Sequence, residues 1–232
     1  MTRFVKLVTV SYETFQSAHD RLAALVGDID PASPRGKTRR RLIDAAAELF
    51  LAQGYRKTGI DEIAKKAGIG KGTVYLHFAT KADVLVAAFA REKLQSLALA
   101  SEVFTATTPR DRLRGWVRAA FLMVAASPLI ARLVDGDEDF SSVLADLDPA
   151  VREQAVHDRD EFLGKLLDEA VGPPGLTPAQ RHERIVLLES LARLAPRLRH
   201  PDLRQDLSVE RFVDAFSRVI ADGLTHSPNG AT

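Results

Sequence analysis

The sequence predicts an all-α fold in two parts, a small three-helix module near the N-terminus and a larger helical body behind it. Three observations predict it. Apolar residues recur at steps of three and four along most of the 232 residues, no segment with a strand's alternation dominates, and glycine or proline turns separate runs of helix length. With 46% hydrophobic side chains, the chain can bury one small and one medium core.

The small module is legible residue by residue. Leu42, Ile43, Ala46, Leu49 and Phe50 give the first helix one apolar face, and Gly54 supplies its C-terminal stop. The second helix runs from about Ile60 to Ala67, with Ile60, Ile63, Ala64 and Ala67 on one side and Asp61, Glu62, Lys65 and Lys66 toward water. Ala64 is small where two helices must cross closely, and Gly68 supplies the left-handed backbone that turns the chain. A third helix starts near Gly70, carrying Lys71, Thr73 and Tyr75 outward while Val74 and Phe78 anchor it. Helix, glycine turn and second short helix are the grammar of a helix-turn-helix DNA reader, with the third helix as recognition helix.

Charge agrees with that assignment. The whole chain carries only +1, but residues 35–81 hold 11 Lys and Arg against 4 Asp and Glu, a net +7 that leaves −6 elsewhere. Affinity for a polyanion comes from local neutralisation of phosphates, so a basic module on a mildly acidic body is the expected distribution. A basic run such as RGKTRRR also fits a solvated helix face; its place just ahead of the helix-turn-helix pattern favours DNA.

The run TRRRLIDAAAELFLAQGYRKTGIDEIAKKAGIGKGTVYLHFATKADVL resembles the DNA-binding domain of the tetracycline-repressor (TetR) family of bacterial transcription regulators. Its specific elements are IA three residues ahead of AG, then KGTVY, HF, and TK followed by leucine four residues on. The likeness covers residues 36 to about 90, roughly a quarter of the chain. It implies a homodimer whose recognition helices enter successive major grooves of a pseudo-palindromic operator. It further implies a helical C-terminal domain that dimerises and holds a small-molecule effector. The chain departs from the pattern at Gly59 and Gly70, where the family usually has Ser or Thr before the second and third helices. Glycine permits the cap and leaves its N–H for phosphate but adds no side-chain bond, so fewer hydroxyl contacts are expected, with Thr58 as a partial substitute.

The expected DNA-binding set follows. Lys71 would reach a guanine edge or a phosphate and Thr73 a thymine methyl or a polar edge, with Gly70 and Gly72 letting the backbone approach. By the motif match, Tyr75 and His77 would bond phosphates through their polar tips while their rings pack on the core. Thr80 and Asp83 read as a capping box, which puts Lys81 in the first turn of a fourth helix; a lysine disfavoured by the helix dipole there is expected to face an anion. Lys37, Thr38 and Arg39, at the start of the first helix, would approach the backbone or the minor groove.

Outside the module the pattern stays helical. Residues 1–34 form an extension, in which Phe15, Ala18, Leu22, Leu25 and Val26 predict an extra helix from about Ser11 to Val26. Its charge of −1 excludes a polybasic arm; docking on the body, packing on a partner and an upstream start codon all fit it. The reader is assigned to 35–82, the helical ligand-binding and dimerisation domain to 83–226, and a disordered tail to 227–232. A fourth helix runs from Thr80 toward Glu102 and a fifth from Pro109 to the Ser127-Pro128 break. The acidic stretch from Asp135 to Asp139 predicts a mobile loop rather than a metal site. Pro149 opens a long helix closed by VGPPG, and two more run from about Pro178 to Leu194 and from Ser208 to Leu224.

Those last two are the expected dimer interface. Ile185, Leu188, Ala192 and Ala195 form one stripe, and Val209, Phe212, Val213, Phe216, Val219 and Ile220 the other. Both would also serve to close a monomer core, but Val186, Leu187, Leu191 and Leu194 widen the apolar surface beyond what one core needs. By the resemblance, Phe89, Trp116, Phe121 and His157 are candidates to line an effector pocket, and each fits equally as plain core or surface.

Several function classes fall away. No convergent nucleophile, acid–base pair, phosphate loop or metal-ligand array is present, so an enzyme is not expected, and no cofactor or metal is predicted. Cysteine is absent, and no apolar run reaches the roughly 18 residues of a membrane span, which together predict a soluble cytoplasmic protein. The expected function is a ligand-responsive regulator, a repressor released from its operator by an effector. The alternative is a helical dimeric interaction protein with a degenerate helix-turn-helix and no operator binding.

Overall fold

The computed structural model describes residues 19–27, 30, 32–97, 106–146 and 149–226, and every element among them is helical. The expected tail at 227–232 lies outside the described residues, as do the side chains of residues 97, 151, 152, 155, 192 and 199. Contacts divide the described residues into two compact units, one within 19–95 and 127–146, the other within 96–126 and 149–226.

The first unit holds the reader. Helix α1 (Pro34–Gln53) starts where the Ser33 hydroxyl accepts from the Gly36 N–H at 3.0 Å, and it stops at Gly54, with φ at 85°. Helix α2 (Ile60–Ala67) ends at Gly68 in the left-handed region, φ 67°, and α3 (Lys71–Tyr75) follows two residues later. Helix α4 (Lys81–Leu97) begins with the expected capping box: the Asp83 carboxylate accepts from the Thr80 N–H at 2.8 Å, and the Thr80 hydroxyl from the Asp83 N–H at 3.1 Å. One core joins them, with Leu42, Ile43, Phe50, Ile63, Val74, Val84 and Leu85 almost wholly buried. Fully burying one such side chain contributes about 1.5–3 kcal/mol.

This unit does not stop at residue 82. Residues 83–95 and 127–148 belong to it, including α6 (Pro128–Val134) and α7 (Glu138–Ala145), two helices the sequence pattern did not separate. Phe140 of α7 is fully buried, edge-on to Phe89 of α4 at 5.4 Å. The Glu92 carboxylate of α4 caps α6 by accepting from the N–H groups of Leu129 at 3.1 Å and Ile130 at 3.2 Å. Arg132 of α6 donates to the Phe50 carbonyl at 3.0 Å, at the C-terminal end of α1. The acidic stretch expected as a mobile loop is therefore a turn and a helix start: Asp137 accepts from the Phe140 N–H at 3.0 Å, and Glu138 and Asp139 sit in a first turn, where the helix dipole favours carboxylates.

The second unit contains α5 (Pro109–Ala126), α8 (Pro149–Val171), α9 (Pro178–Ala192), a 3₁₀ turn (Ala195–Arg199), the short α10 (Pro201–Arg204) and α11 (Val209–Thr225). Leu113, Val117 and Phe121 of α5 meet Phe162, Leu166 and Leu167 of α8 and Val213, Ala221 and Leu224 of α11 in one core. Three members of the expected association stripes are inside it: Ile185 is 7% exposed, and Ala195 and Val213 are fully buried, so they close the single chain. Leu188, Val209, Phe212, Phe216 and Ile220 pack against the same core while half-exposed, and Ala192's side chain lies outside the described residues. What remains open to water is Val219, at 69%, on α11, with Val186 and Leu187 on α9 and Leu194 just beyond it.

Candidate nucleic-acid interface

Helix α3 is only five residues long, so its placement comes from neighbours rather than from its own hydrogen bonds. Val74 is fully buried and Phe78 nearly so, and these two anchors one turn apart turn the intervening side chains outward. Lys71 is exposed, Thr73 half-exposed, Tyr75 51% exposed and Leu76 74% exposed. The Tyr75 ring thus does not pack on the core as the motif match implied. Leu76 was missed. The signal for it was present, since both inward positions of the helix were already filled and a leucine between Tyr75 and His77 had nowhere to go but outward. A large exposed aliphatic group there can cover a thymine methyl or a sugar face.

Lys71 is not a free cation. Its Nζ lies 3.0 Å from the Asp61 carboxylate of α2, and that hydrogen bond is the main cause holding its pKa above the usual lysine value. Lys37 is exposed on the first turn of α1, and Arg35, Arg40 and Arg41 around it are exposed as well. The hydroxyl of Thr38 donates to the Pro34 carbonyl at 2.9 Å.

Four of the expected phosphate contacts are engaged by groups of the chain itself. Lys81 donates to the carbonyls of Tyr55 at 2.8 Å and Thr58 at 2.9 Å, with its Nζ 4.1 Å from the Tyr55 ring centroid. It thus meets a pair of carbonyl dipoles in the α1–α2 turn, and burial holds its pKa down. Arg39 donates to the carbonyls of Val26 and His77 and lies 3.9 Å over the Phe78 ring. Thr58 is 1% exposed, its hydroxyl donating to the Gly54 carbonyl at 2.8 Å. The Gly59 N–H, expected free, is taken by the Glu62 carboxylate at 2.8 Å, the reach-back half of a capping box in which glycine has no hydroxyl to return. Gly70 and Gly72 remain exposed with nothing near the position a Cβ would occupy, so the backbone at the start of α3 is approachable. His77 is half-buried, its Nδ1 enclosed without a hydrogen-bond partner and its pKa held down by burial, then by Arg39 and Arg35.

The outward set is therefore Lys37, Lys71, Thr73, Tyr75 and Leu76, with glycine backbone at 70 and 72. It offers cations, a hydroxyl, a phenol and an aliphatic tip, chemistry suited to phosphates and base edges. No group of three or more His, Asp or Glu side chains that could hold a metal occurs among the described residues. No single helix among them is long and apolar enough to cross a membrane.

The effector candidates are divided between the two units. Phe89 belongs to the core of the reader unit, 8% exposed. In the other unit, Trp116 stands edge-on to Phe162 at 4.6 Å and Phe121 edge-on to Phe216 at 5.0 Å, both ordinary core contacts. His157 is exposed on α8, at an open recess with Pro149, Glu153, Val156 and Asp160.

Residues 42–88 match the family model described as bacterial regulatory proteins of the tetR family. The HTH-type transcriptional activator FasR of Mycolicibacterium smegmatis is 37% identical over 89 residues, 38% of this chain and 41% of that protein. SrpR of Pseudomonas putida, an HTH-type transcriptional regulator, is 49% identical over 59 residues, 25% of this chain and 28% of its own. The fatty acid metabolism regulator protein of Bacillus subtilis is 43% identical over 54 residues, 23% and 27% of the two chains. This chain thus spans less than half the length of these curated relatives. The fold likeness runs further. A bacterial regulatory protein in the tetR family from Rhodococcus RHA1 superposes with a TM-score of 0.65 at 21% identity, over 82% of this chain and 98% of that one. FadR from Bacillus subtilis in complex with stearoyl-CoA does so with a TM-score of 0.59 at 19% identity, over 80% and 97%.

Proposed function

This chain belongs to the TetR family of bacterial transcription regulators, and from that premise we propose that two copies of it bind a pseudo-palindromic operator and repress transcription until a small-molecule effector releases them. The observation that carries the reading is the outward face of α3, where Lys71, Thr73, Tyr75 and Leu76 stand on a helix pinned by buried Val74 and Phe78. Side chains presented this way from a rigid helix suit a major groove, and Lys37 suits the flanking phosphates. Two-fold symmetry in the operator calls for two-fold symmetry in the protein, and the open apolar groups Val186, Leu187, Leu194 and Val219 supply a surface for it. As a DNA regulator it would act in the cytoplasm.

The effector would work through reciprocal coupling: a ligand that favours a reader spacing unlike the operator's lowers DNA affinity, and a coupling of about 1–3 kcal/mol corresponds to roughly 5–150-fold. Stearoyl-CoA, held by the Bacillus subtilis FadR, is the first compound to titrate.

The test is selection of duplexes from a random library by the full chain, followed by affinity against salt. An inverted repeat should emerge, and with about six phosphates contacted its affinity should fall roughly 10³-fold between 50 and 200 mM salt. No enriched repeat and no salt slope would instead support an interaction protein with a degenerate reader. Transcription from a promoter bearing the repeat separates repression from activation.

A further inference from the structure

We propose that residues 19–27 are a built part of the DNA reader, and that Arg39 is the positioning residue through which they fix the C-terminal end of the recognition helix. Residues 19–26 are helical, and the chain leaves that helix at Gly27, whose N–H donates to the Ala23 carbonyl at 3.0 Å. Val26 packs against the reader core. From α1, one guanidinium serves both sides: Arg39 Nε donates to the Val26 carbonyl and Nη1 to the His77 carbonyl. It therefore joins the last helical residue of the extension to the segment just after α3. The Phe78 ring lies beneath the guanidinium at 3.9 Å and holds its plane.

Gly27 shows how closely the parts are fitted. Its φ of +110° favours glycine, and a Cβ on it would sit 2.6 Å from Arg39 Nε, so any other residue strains the backbone and displaces the guanidinium. Lysine in place of Arg39 would keep the charge but lose the fixed planar geometry in which Nε and Nη1 each reach one of the two carbonyls. The extension carries no basic excess, so its contribution is geometric rather than one of phosphate neutralisation.

The consequence is specific. Random-duplex affinity comes from a local excess of cations, and the extension has none, its Arg21 being offset by Asp20, whereas sequence discrimination needs α3 held in register with the groove. This rests on α3 being the DNA-reading helix, so the test has one arm without DNA. Three variants in the full chain serve it: Ala24→Pro, an exposed site that breaks the short helix; Gly27→Ala, which crowds the guanidinium; and Arg39→Lys, which keeps the charge.

Without DNA, hydrogen exchange at the His77 and Phe78 amides, both bonded to the Val74 carbonyl, should speed up about tenfold in all three, the equivalent of one charge-assisted hydrogen bond. Exchange in α5 and α8 should not change. With DNA, affinity for a duplex selected by the unaltered chain should fall about tenfold while random-duplex affinity holds within about twofold. Unchanged exchange at His77 and Phe78 in Ala24→Pro overturns the proposal, even if Arg39→Lys responds, because Arg39 would then act without the extension. Unchanged selected-duplex affinity despite faster exchange also overturns it. If exchange responds but the unaltered chain selects no duplex, the positioning stands and the DNA-reading assignment is what fails.

Discussion

Lys71 of α3 and Asp61 of α2 face each other at 3.0 Å across the turn made by Gly68, so the foremost cation of the recognition helix is already paired before DNA arrives. Both side chains are exposed, and the pair must open for Lys71 to reach a guanine or a phosphate. Asp61→Asn should therefore raise affinity for random duplex, by no more than about fivefold, because exposed pairs are weak and screened. Lys71→Met should abolish that gain. Fluorescence anisotropy at low salt checks both, and a gain that persists without Lys71 would mean that Asp61 acts by general repulsion of the phosphates.

Lys81 separates stability from binding. Because its ammonium ties the Tyr55 and Thr58 carbonyls together, Lys81→Met should cost about 1.5–3 kcal/mol in urea unfolding, the range for hydrogen bonds to a charged group. Its effect on the salt dependence of duplex binding should be small. A variant that unfolds normally but loses about one unit of salt slope would restore Lys81 as a phosphate contact.

Which parts of this site were legible follows from the range of the forces involved. The anchors Val74 and Phe78, the stop at Gly54, the turn at Gly68 and the Thr80–Asp83 box rest on neighbours within four residues, where sequence spacing decides geometry. The engagement of Lys81 and Arg39 within the chain was not legible because their partners lie far along it: the α1–α2 turn for one, Val26 and His77 for the other. A cation's sequence position does not show whether carbonyl dipoles from elsewhere in the chain will meet it. The same limit hid the attachment of residues 127–148 to the reader, which depends on Phe140 meeting Phe89 and Arg132 meeting the end of α1.

His77 should make stability depend on pH. Its imidazole is held below the usual value, first by burial and then by Arg39 and Arg35, so the unfolded chain takes up a proton more readily. The stability this contributes is full above about pH 6.5, the unfolded value, and is lost as pH falls toward and through the depressed folded value. His77→Gln should flatten the unfolding free energy between about pH 7 and pH 5 relative to the parent chain. An identical slope in both would place the titrating group elsewhere.

Association should respond to one exposed residue. Val219 contributes nothing to the core at 69% exposure, so Val219→Asp should shift unfolding by less than about 0.5 kcal/mol within a single chain. If α11 meets its two-fold mate there, the same change buries a charge against its own copy and should move the species from dimer to monomer in sedimentation. A dimer that survives Val219→Asp and also Leu187→Asp would put the association surface on another face.

The second unit carries a buried ion pair whose energetics can be tested independently of DNA. Arg112 of α5 donates to Glu169 of α8 at 2.7 Å; both side chains are about nine-tenths buried, and Glu169 Oε1 has no hydrogen-bond partner. Removing one partner strands the other charge in a low-dielectric setting, so Arg112→Ala should destabilise by about 3–5 kcal/mol. Replacing both with apolar residues of similar size, Arg112→Met with Glu169→Leu, removes the stranded charge and should recover most of that loss or exceed the parent. The cycle of single and double variants in urea unfolding measures it. If the double variant is as unstable as Arg112→Ala alone, the pair's contribution lies in the contact between α5 and α8 that its long side chains fill, not in the compensation of one charge by the other.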